Sequence, residues 1–353
     1  MKFPCAHFGT CGGCKFQDMP PVAYLQMKHE RVLLALARYG LENAAVEMPS
    51  SVLPFTRRRG AVAVAMSTHF AEAGFRAARS HAIVDLKECL VLTPPLLSAI
   101  MSFRDLLPPL LKAGEQGELR LTDCSNGIDI ALKLPRKPSS HLLKSFAEWA
   151  RRSDVIRIIA NGDIAVQLDE PKVHLADVEV AIPPNSFLQP TRDGERILQQ
   201  TIQSALDGAR HILDLFAGCG TFSFAVARKA SVHAVDSDRP ALAALESAAR
   251  KAQKLKPITT EARNLFGRPI QPIELKRFDA VIVDPPRAGC SAQAAALANS
   301  PVRRIAYVSC NAETFAHDAR ILVDSGFDLR WIKPVDQFLW SSHTELVALL
   351  ERR

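Results

Sequence analysis

A cysteine and a glutamate near the C-terminus have the residue types that covalent catalysis requires. Cys310 stands in the segment YVSCN at residues 307–311, directly after a strand-like apolar run, and Glu345 ends the segment HTE at residues 343–345. A thiolate can add to an electron-poor ring carbon, and a carboxylate can then remove a proton from the neighbouring carbon. We therefore expect Cys310 to be a nucleophile and Glu345 a general base. Taken singly, each residue has a simpler reading, as an inert buried cysteine and as a surface carboxylate.

A glycine-containing turn between acidic residues predicts a site for a nucleotide-like cofactor. Asp214 precedes Gly218 and Gly220, and Asp236 ends the next strand-like run. A dinucleotide fingerprint needs a third glycine three residues later, but Ser223 stands there. The carboxylate of Asp236 can accept hydrogen bonds from ribose hydroxyls. The pattern is therefore similar to the S-adenosylmethionine site of the Rossmann-like methyltransferases.

The segment DPPR at residues 284–287 narrows the expected reaction. Methyltransferases that act on the amino group of adenine carry an aromatic residue after the two prolines, whereas this chain has Arg287. Cytosine-5 RNA enzymes carry a cysteine just after the aspartate and proline; Cys290 comes too late and is expected to be structural. Carbon 5 of uracil attacks a methyl sulfonium only after a thiolate has added to carbon 6. Cys310 suits that role, because the N-terminus of a helix expected at residues 312–323 would favour its thiolate.

Three cysteines near the N-terminus predict a metal centre. Cys5, Cys11 and Cys14 form the pattern C-x5-C-x2-C, and Cys89 is the best candidate for a fourth ligand. Four thiolates suit either tetrahedral zinc or an iron–sulfur cluster, and spacing does not separate the two. The alternative is a set of unrelated buried cysteines.

Composition bounds the class of protein. The chain has 353 residues, a net charge of +7 and a pI near 9.0, which fit a polyanionic partner such as nucleic acid. No apolar run approaches the roughly 20 residues of a membrane helix, and the N-terminus lacks the apolar core of a signal peptide. We therefore expect a cytoplasmic protein with no membrane partner. The arginines at residues 57–59 are interpreted equally well as a solvated strand end or as phosphate contacts.

Alternating strand and helix patterns from about residue 190 onward predict a doubly wound, mostly parallel α/β sheet. Asp214, Asp236, Asp284 and Cys310 fall at or near strand ends, where such sheets bind ligands. We expect a cysteine-rich region at residues 1–90, a small α+β central domain with RNA contacts at 91–188, and a Rossmann-like catalytic domain at 189–353.

On these motifs the chain resembles the RNA uracil-5 methyltransferases, which form 5-methyluridine in bacterial 23S rRNA and tRNA. The resemblance implies that Cys310 is the nucleophile, that Glu345 is the base, and that the four N-terminal cysteines bind a 4Fe-4S cluster. It also implies that the S-adenosylmethionine and base site is lined by Gln189, Phe216, Gly218, Gly220, Thr221, Asp236 and Asp284.

Two features place the chain within that family. It starts directly at the cysteines, so we expect it to lack the RNA-binding TRAM domain, and the cysteines favour 23S rRNA over tRNA as the substrate. No protein partner is implied. The run DQFLW at residues 336–340 departs from the more usual Asp-Met-Phe-Pro and could alter how the loop before Glu345 closes. The alternatives are a tRNA 5-methyluridine enzyme and a catalytically silent iron–sulfur or zinc RNA-binding factor.

Overall fold

The computed structural model describes residues 4–352. The strands are β1 Ser50–Ser51, β2 Arg59–Met66, β3 Ala71–Arg76, β4 Ile83–Asp85, β5 Gln116–Asp123, β6 Ile128–Lys133, β7 Val155–Ala160, β8 Asp163–Gln167, β9 Lys172–Leu175, β10 Val178–Ala181, β11 His211–Leu215, β12 Ser231–Asp236, β13 Ile258–Ala262, β14 Ala280–Val283, β15 Arg304–Ser309, β16 Phe327–Asp336 and β17 Glu345–Arg352. The helices are α1 Pro21–Ala37, α2 Pro94–Phe103, α3 Leu107–Leu110, α4 Ser140–Arg152, α5 Arg192–Ala205, α6 Ser223–Val226, α7 Arg239–Lys251, α8 Pro272–Leu275, α9 Ser291–Ala298 and α10 Ala312–Asp324, with a 3-10 turn at Arg104–Leu106.

The C-terminal half is built on an eight-stranded sheet in the order β1-β16-β17-β15-β14-β11-β12-β13. Strands β11 to β15 are parallel to one another, whereas β17 runs antiparallel to both β15 and β16. All four side chains of β14 are buried, as expected for a strand that is covered by helices on both faces. The predicted α/β sheet is therefore confirmed, and the reversal at β17 makes it a mixed sheet.

A second sheet has seven strands in the order β4-β3-β2-β5-β6-β7-β8. Its neighbouring strands are antiparallel except for the parallel pair β6 and β7, which α4 connects. α4 begins at an N-cap, since the Ser139 side chain accepts a hydrogen bond from the Leu142 N–H. Phe146 and Trp149 of the helix are buried in the core beneath the sheet. The domain boundaries proposed from the sequence stay predictions.

Helix α1 ties the N-terminal segment to the first sheet. Val32 and Leu36 are buried in the same core as Phe315 of α10. On another side of the helix, the fully buried Lys28 ammonium pairs with the Asp336 carboxylate and donates a hydrogen bond to the carbonyl of His343 at 2.6 Å. α1 therefore anchors both ends of the loop between β16 and β17. None of the helices within residues 4–352 is long and apolar enough to cross a membrane.

Candidate active site

The proposed nucleophile and base meet at the edge of the first sheet. β15 ends at Ser309, and its pairing with Leu346 of the antiparallel β17 places Glu345 opposite Cys310. α10 starts two residues after Cys310, with the Asn311 side chain as its N-cap. Sheet register thus brings together two residues that lie 35 positions apart in the chain.

Burial and nearby carboxyl groups set the ionisation of this pair. Burial raises the pKa of the Glu345 carboxyl to about 7, although a hydrogen bond from Gln337 lowers it. The Cys310 thiol is half-buried, and burial, with the carboxyls of Glu345 and Asp284, raises its pKa to about 11. The neutral thiol is therefore favoured in the free protein, and the predicted effect of the α10 N-terminus on the thiolate stays a prediction. Desolvation and two facing carboxyl groups outweigh the groups that lower this pKa, which include the Arg287 guanidinium.

Two buried amides connect the carboxyl groups of the site. Gln337 Nε2 donates to Glu345 Oε2 at 3.0 Å and to Gln189 Oε1 at 2.7 Å. Gln189 Nε2 in turn lies 3.5 Å from Asp284 Oδ2. Burial and the charges of Glu345, Asp214 and Asp236 raise the pKa of Asp284 well above 3.8. The sequence analysis assigned no role to Gln337. The unusual run at residues 336–340 is the feature that could have indicated one.

The glycine turn after β11 forms an open cradle. Phe216 has φ 64° and Gly218 has φ 53°, and a Cβ atom added at Gly218 would project into open space. The Gly218 N–H donates to Asp236 Oδ2 at 2.8 Å, which fixes the turn against the end of β12. At Gly220 an added Cβ would lie 2.8 Å from the ring of Phe224, so a larger residue would displace the helix that follows.

A buried aspartate lies beneath this turn. The Ser223 hydroxyl donates to Asp214 Oδ2 at 2.6 Å, and Oδ1 has no partner among the described residues. Burial raises the pKa of Asp214 to about 7. On the exposed side, the ring of Phe216 lies 5.7 Å from that of the half-exposed Phe266. The open cradle, the acceptor at Asp236 and these rings fit an adenosine group, and the assignment of the cofactor-binding residues stays a prediction. Thr221 lies at the same turn, where its carbonyl accepts a hydrogen bond from Gln199.

The four N-terminal cysteines line one cavity of about 510 Å³. Burial is the main cause that raises the pKa values of Cys11, Cys14 and Cys89, that of Cys14 to about 12, and the neighbouring thiols raise them further. A positive centre between the thiols would stabilise their ionised forms against both burial and mutual repulsion. The Arg57 side chain lines the same cavity. Within residues 4–352, however, no three His, Cys, Asp or Glu side chains are close enough together to hold a metal ion. The ligand set stays a prediction.

Of the arginines at residues 57–59, Arg58 has a different role from either interpretation of the sequence. Arg58 is 2% exposed; it pairs with Glu195 at 2.5 Å and donates to the Gln189 carbonyl at 3.0 Å. Arg59 donates to the Leu188 carbonyl at 2.6 Å. These two side chains hold the backbone that carries Gln189. Because Arg58 is buried in an ion pair, it is neither a solvated residue at a strand end nor a contact to phosphate.

The strand order, the glycine turn after β11 and the acid at the end of β12 define an S-adenosylmethionine-dependent methyltransferase. The model of the tRNA (uracil-5-)-methyltransferase family matches residues 152–353. The chain belongs to this family of RNA methyltransferases.

Relatives support the family along the whole chain. An uncharacterized RNA methyltransferase of Brucella suis is 37% identical over 99% of this chain and 84% of its own length. The 23S rRNA (uracil(1939)-C(5))-methyltransferase RlmD of Pectobacterium atrosepticum is 30% identical over 98% of this chain and 79% of its own. The crystal structure of the Pyrococcus abyssi tRNA (uracil-54, C5)-methyltransferase with S-adenosyl-L-homocysteine has a TM-score of 0.76 and 25% identity, covering 96% of this chain and 85% of that one.

Proposed function

We propose that this protein methylates carbon 5 of a specific uridine in 23S rRNA. The observation that carries the proposal is the placement of Cys310 opposite Glu345, a carboxyl whose burial raises its pKa to about 7. A base with a pKa near neutrality suits proton removal at physiological pH. Gln189 and Asp284 lie beside this pair, where a nucleobase would stand between the nucleophile and the cofactor.

The proposed steps use Cys310 first and Glu345 last. The Cys310 thiolate forms a bond to carbon 6 of uracil, and the electron pair of the C5–C6 double bond moves onto carbon 5 and the carbon 4 oxygen. Bound S-adenosylmethionine supplies the methyl group to carbon 5. Glu345 then removes the carbon 5 proton, the C5–C6 double bond re-forms, and the thiolate leaves. The net products are 5-methyluridine, S-adenosylhomocysteine and a proton.

The residues of the glycine turn hold the cofactor in this proposal. Asp236 accepts hydrogen bonds from ribose hydroxyls while it fixes the Gly218 N–H. Phe216 offers a ring beside the open cradle, and the absence of a Cβ at Gly218 leaves room for the ligand. Burial raises the pKa of Asp214 under the turn to about 7, so its neutral form is favoured below that pH.

The choice of 23S rRNA rests on RlmD of Pectobacterium atrosepticum and on the N-terminal cysteines. The Pyrococcus abyssi structure favours tRNA as the second candidate. A methyl-transfer assay separates them: purified protein, kept anaerobic, receives labelled S-adenosylmethionine with either 23S rRNA or tRNA, and the nucleosides are analysed. Label in 5-methyluridine from 23S rRNA supports the proposal, and label from tRNA alone overturns the substrate. Failure of wild type and Cys310→Ala alike on both RNAs and on assembling large subunits favours a catalytically silent RNA-binding factor.

We further propose that Cys5, Cys11, Cys14 and Cys89 hold a 4Fe-4S cluster with a structural or RNA-positioning role, since methyl transfer needs no electron. Cys14→Ser is expected to lose iron and thermal stability. Cys124→Ser is the matched control, because Cys124 is buried in a different core. Zinc instead of iron in the wild-type protein, or full stability of Cys14→Ser without iron, would contradict this part of the proposal.

A further inference from the structure

The ionised form of Glu345, which the base must adopt, sets the direction of the hydrogen bonds around Gln337. An ionised carboxylate only accepts hydrogen bonds, so the amide that faces it presents its N–H group. The same Gln337 Nε2 atom reaches Gln189 Oε1 at 2.7 Å. Gln189 consequently has its carbonyl oxygen engaged, and its own NH2 group faces the side of Asp284. An ionised Glu345 thus orients both amides in one direction, with the Gln189 NH2 group on the side away from Gln337.

Packing holds Gln337 in this orientation from the other side. Its side chain is 1% exposed and rests against Gly194 in the first turn of α5. A Cβ atom added at Gly194 would lie 2.6 Å from Gln337 Oε1 and 2.8 Å from its Cβ. Thr191 caps the same turn by accepting from the Gly194 N–H at 3.0 Å. The glycine therefore provides the space that Gln337 occupies, and the helix prevents the side chain from moving away.

The NH2 group of Gln189 matches one edge of uracil. Carbon 4 is bonded to carbon 5, so its oxygen lies near the group that removes the carbon 5 proton. Gln189 is one amide away from Glu345. Negative charge develops on the carbon 4 oxygen when the thiolate adds, and an oriented N–H donor stabilises such an oxyanion. Cytosine carries an amino group at carbon 4 and would oppose that donor.

We propose that Gln337 is a positioning residue that directs the Gln189 N–H toward the carbon 4 oxygen of the target uracil, and thereby contributes to the choice of uracil over cytosine. The proposal rests on the proposed uridine methylation. It assigns a purpose to the unusual residue at position 337 and to the glycine at position 194.

The test compares the oxygen and sulfur forms of the target base. The substrate is a 23S rRNA transcript carrying either uridine or 4-thiouridine at the position that the wild-type protein methylates. Sulfur is a poor acceptor, so the ratio of the two kcat values reports the hydrogen bond to position 4. Gln337→Met is expected to lower kcat on uridine by about 10- to 100-fold, with the Kd for S-adenosylmethionine unchanged. The oxygen-to-sulfur ratio is expected to shrink by about tenfold, the value of one hydrogen bond.

Two further variants make the result decisive. Gln293→Met removes a buried amide whose two hydrogen bonds are both to Ile270, and it is expected to keep the wild-type ratio. Gly194→Ala retains the Gln337 amide but displaces it, and is expected to shrink the ratio even if Gln337→Met does not fold. A wild-type ratio in both Gln337→Met and Gly194→Ala overturns the proposal. Absence of uridine methylation by the wild-type protein instead overturns the proposed function itself.

Discussion

Replacing Glu345 with glutamine is expected to stabilise the protein at alkaline pH while it abolishes turnover. Glu345 is 4% exposed, and burial raises its pKa from 4.5 to about 7. Below pH 4.5 the carboxyl is protonated in both the folded and the unfolded chain, so its contribution to stability is fully present. As the pH rises through 7, the unfolded chain has already ionised, and the folded protein must keep a buried charge.

The magnitude follows from the pKa difference. At about 1.4 kcal/mol per pKa unit, the rise costs the wild-type protein about 3 kcal/mol at pH 8 but only about 1 kcal/mol at pH 5. Glu345→Gln carries no such charge and keeps an acceptor for the Gln337 amide. The loss of the Glu345 charge also removes a repulsion that raises the pKa of Asp284. This second effect likewise stabilises the variant at alkaline pH.

Urea unfolding of both proteins at pH 5 and pH 8 measures this effect. Glu148→Gln, which changes the same chemical group on the exposed side of α4, is the control and is expected to show no pH-dependent difference. Equal stability of wild type and Glu345→Gln at pH 8 would refute the reasoning. It would mean that a stabilising contact compensates for the burial of the ionised Glu345 carboxylate.

Three other predictions follow from the site. The kcat/KM for methylation is expected to rise with pH between 6 and 8, because both the Glu345 carboxyl and the Cys310 thiol must be ionised; a rate that falls with pH would exclude these roles. Arg58→Met leaves the buried Glu195 without its partner and is expected to cost about 3–5 kcal/mol in urea unfolding, much of which Arg58→Met combined with Glu195→Gln should recover. Asp236→Ala removes the acceptor for the Gly218 N–H and is expected to weaken S-adenosylmethionine binding about 10- to 100-fold in calorimetric titration; a Kd within twofold of wild type would contradict it.

Local patterns were enough to predict the glycine turn and strand end at which we propose the cofactor site. The strand that ends at Asp236 and the turn through Gly218 lie within one β-turn-α-β segment, whose residues are close in the chain. The alternation of strands and helices likewise gave the α/β class, because apolar period and turn residues are local properties. The start of α10 near residue 312 was predicted for the same reason.

The remaining features depended on contacts between distant segments. The antiparallel direction of β17 brings Glu345 opposite Cys310, where the Glu345 carboxyl contributes to the raised pKa of the Cys310 thiol. Only the packed structure shows that Arg58 is buried against Glu195, and that Gln337 links the base to Gln189. The sequence by itself determined which residue types could do the chemistry. It also determined the position of the glycine turn that is proposed to hold the cofactor. Tertiary structure decided their ionisation and orientation, because desolvation and hydrogen-bond direction depend on neighbours that no local pattern specifies.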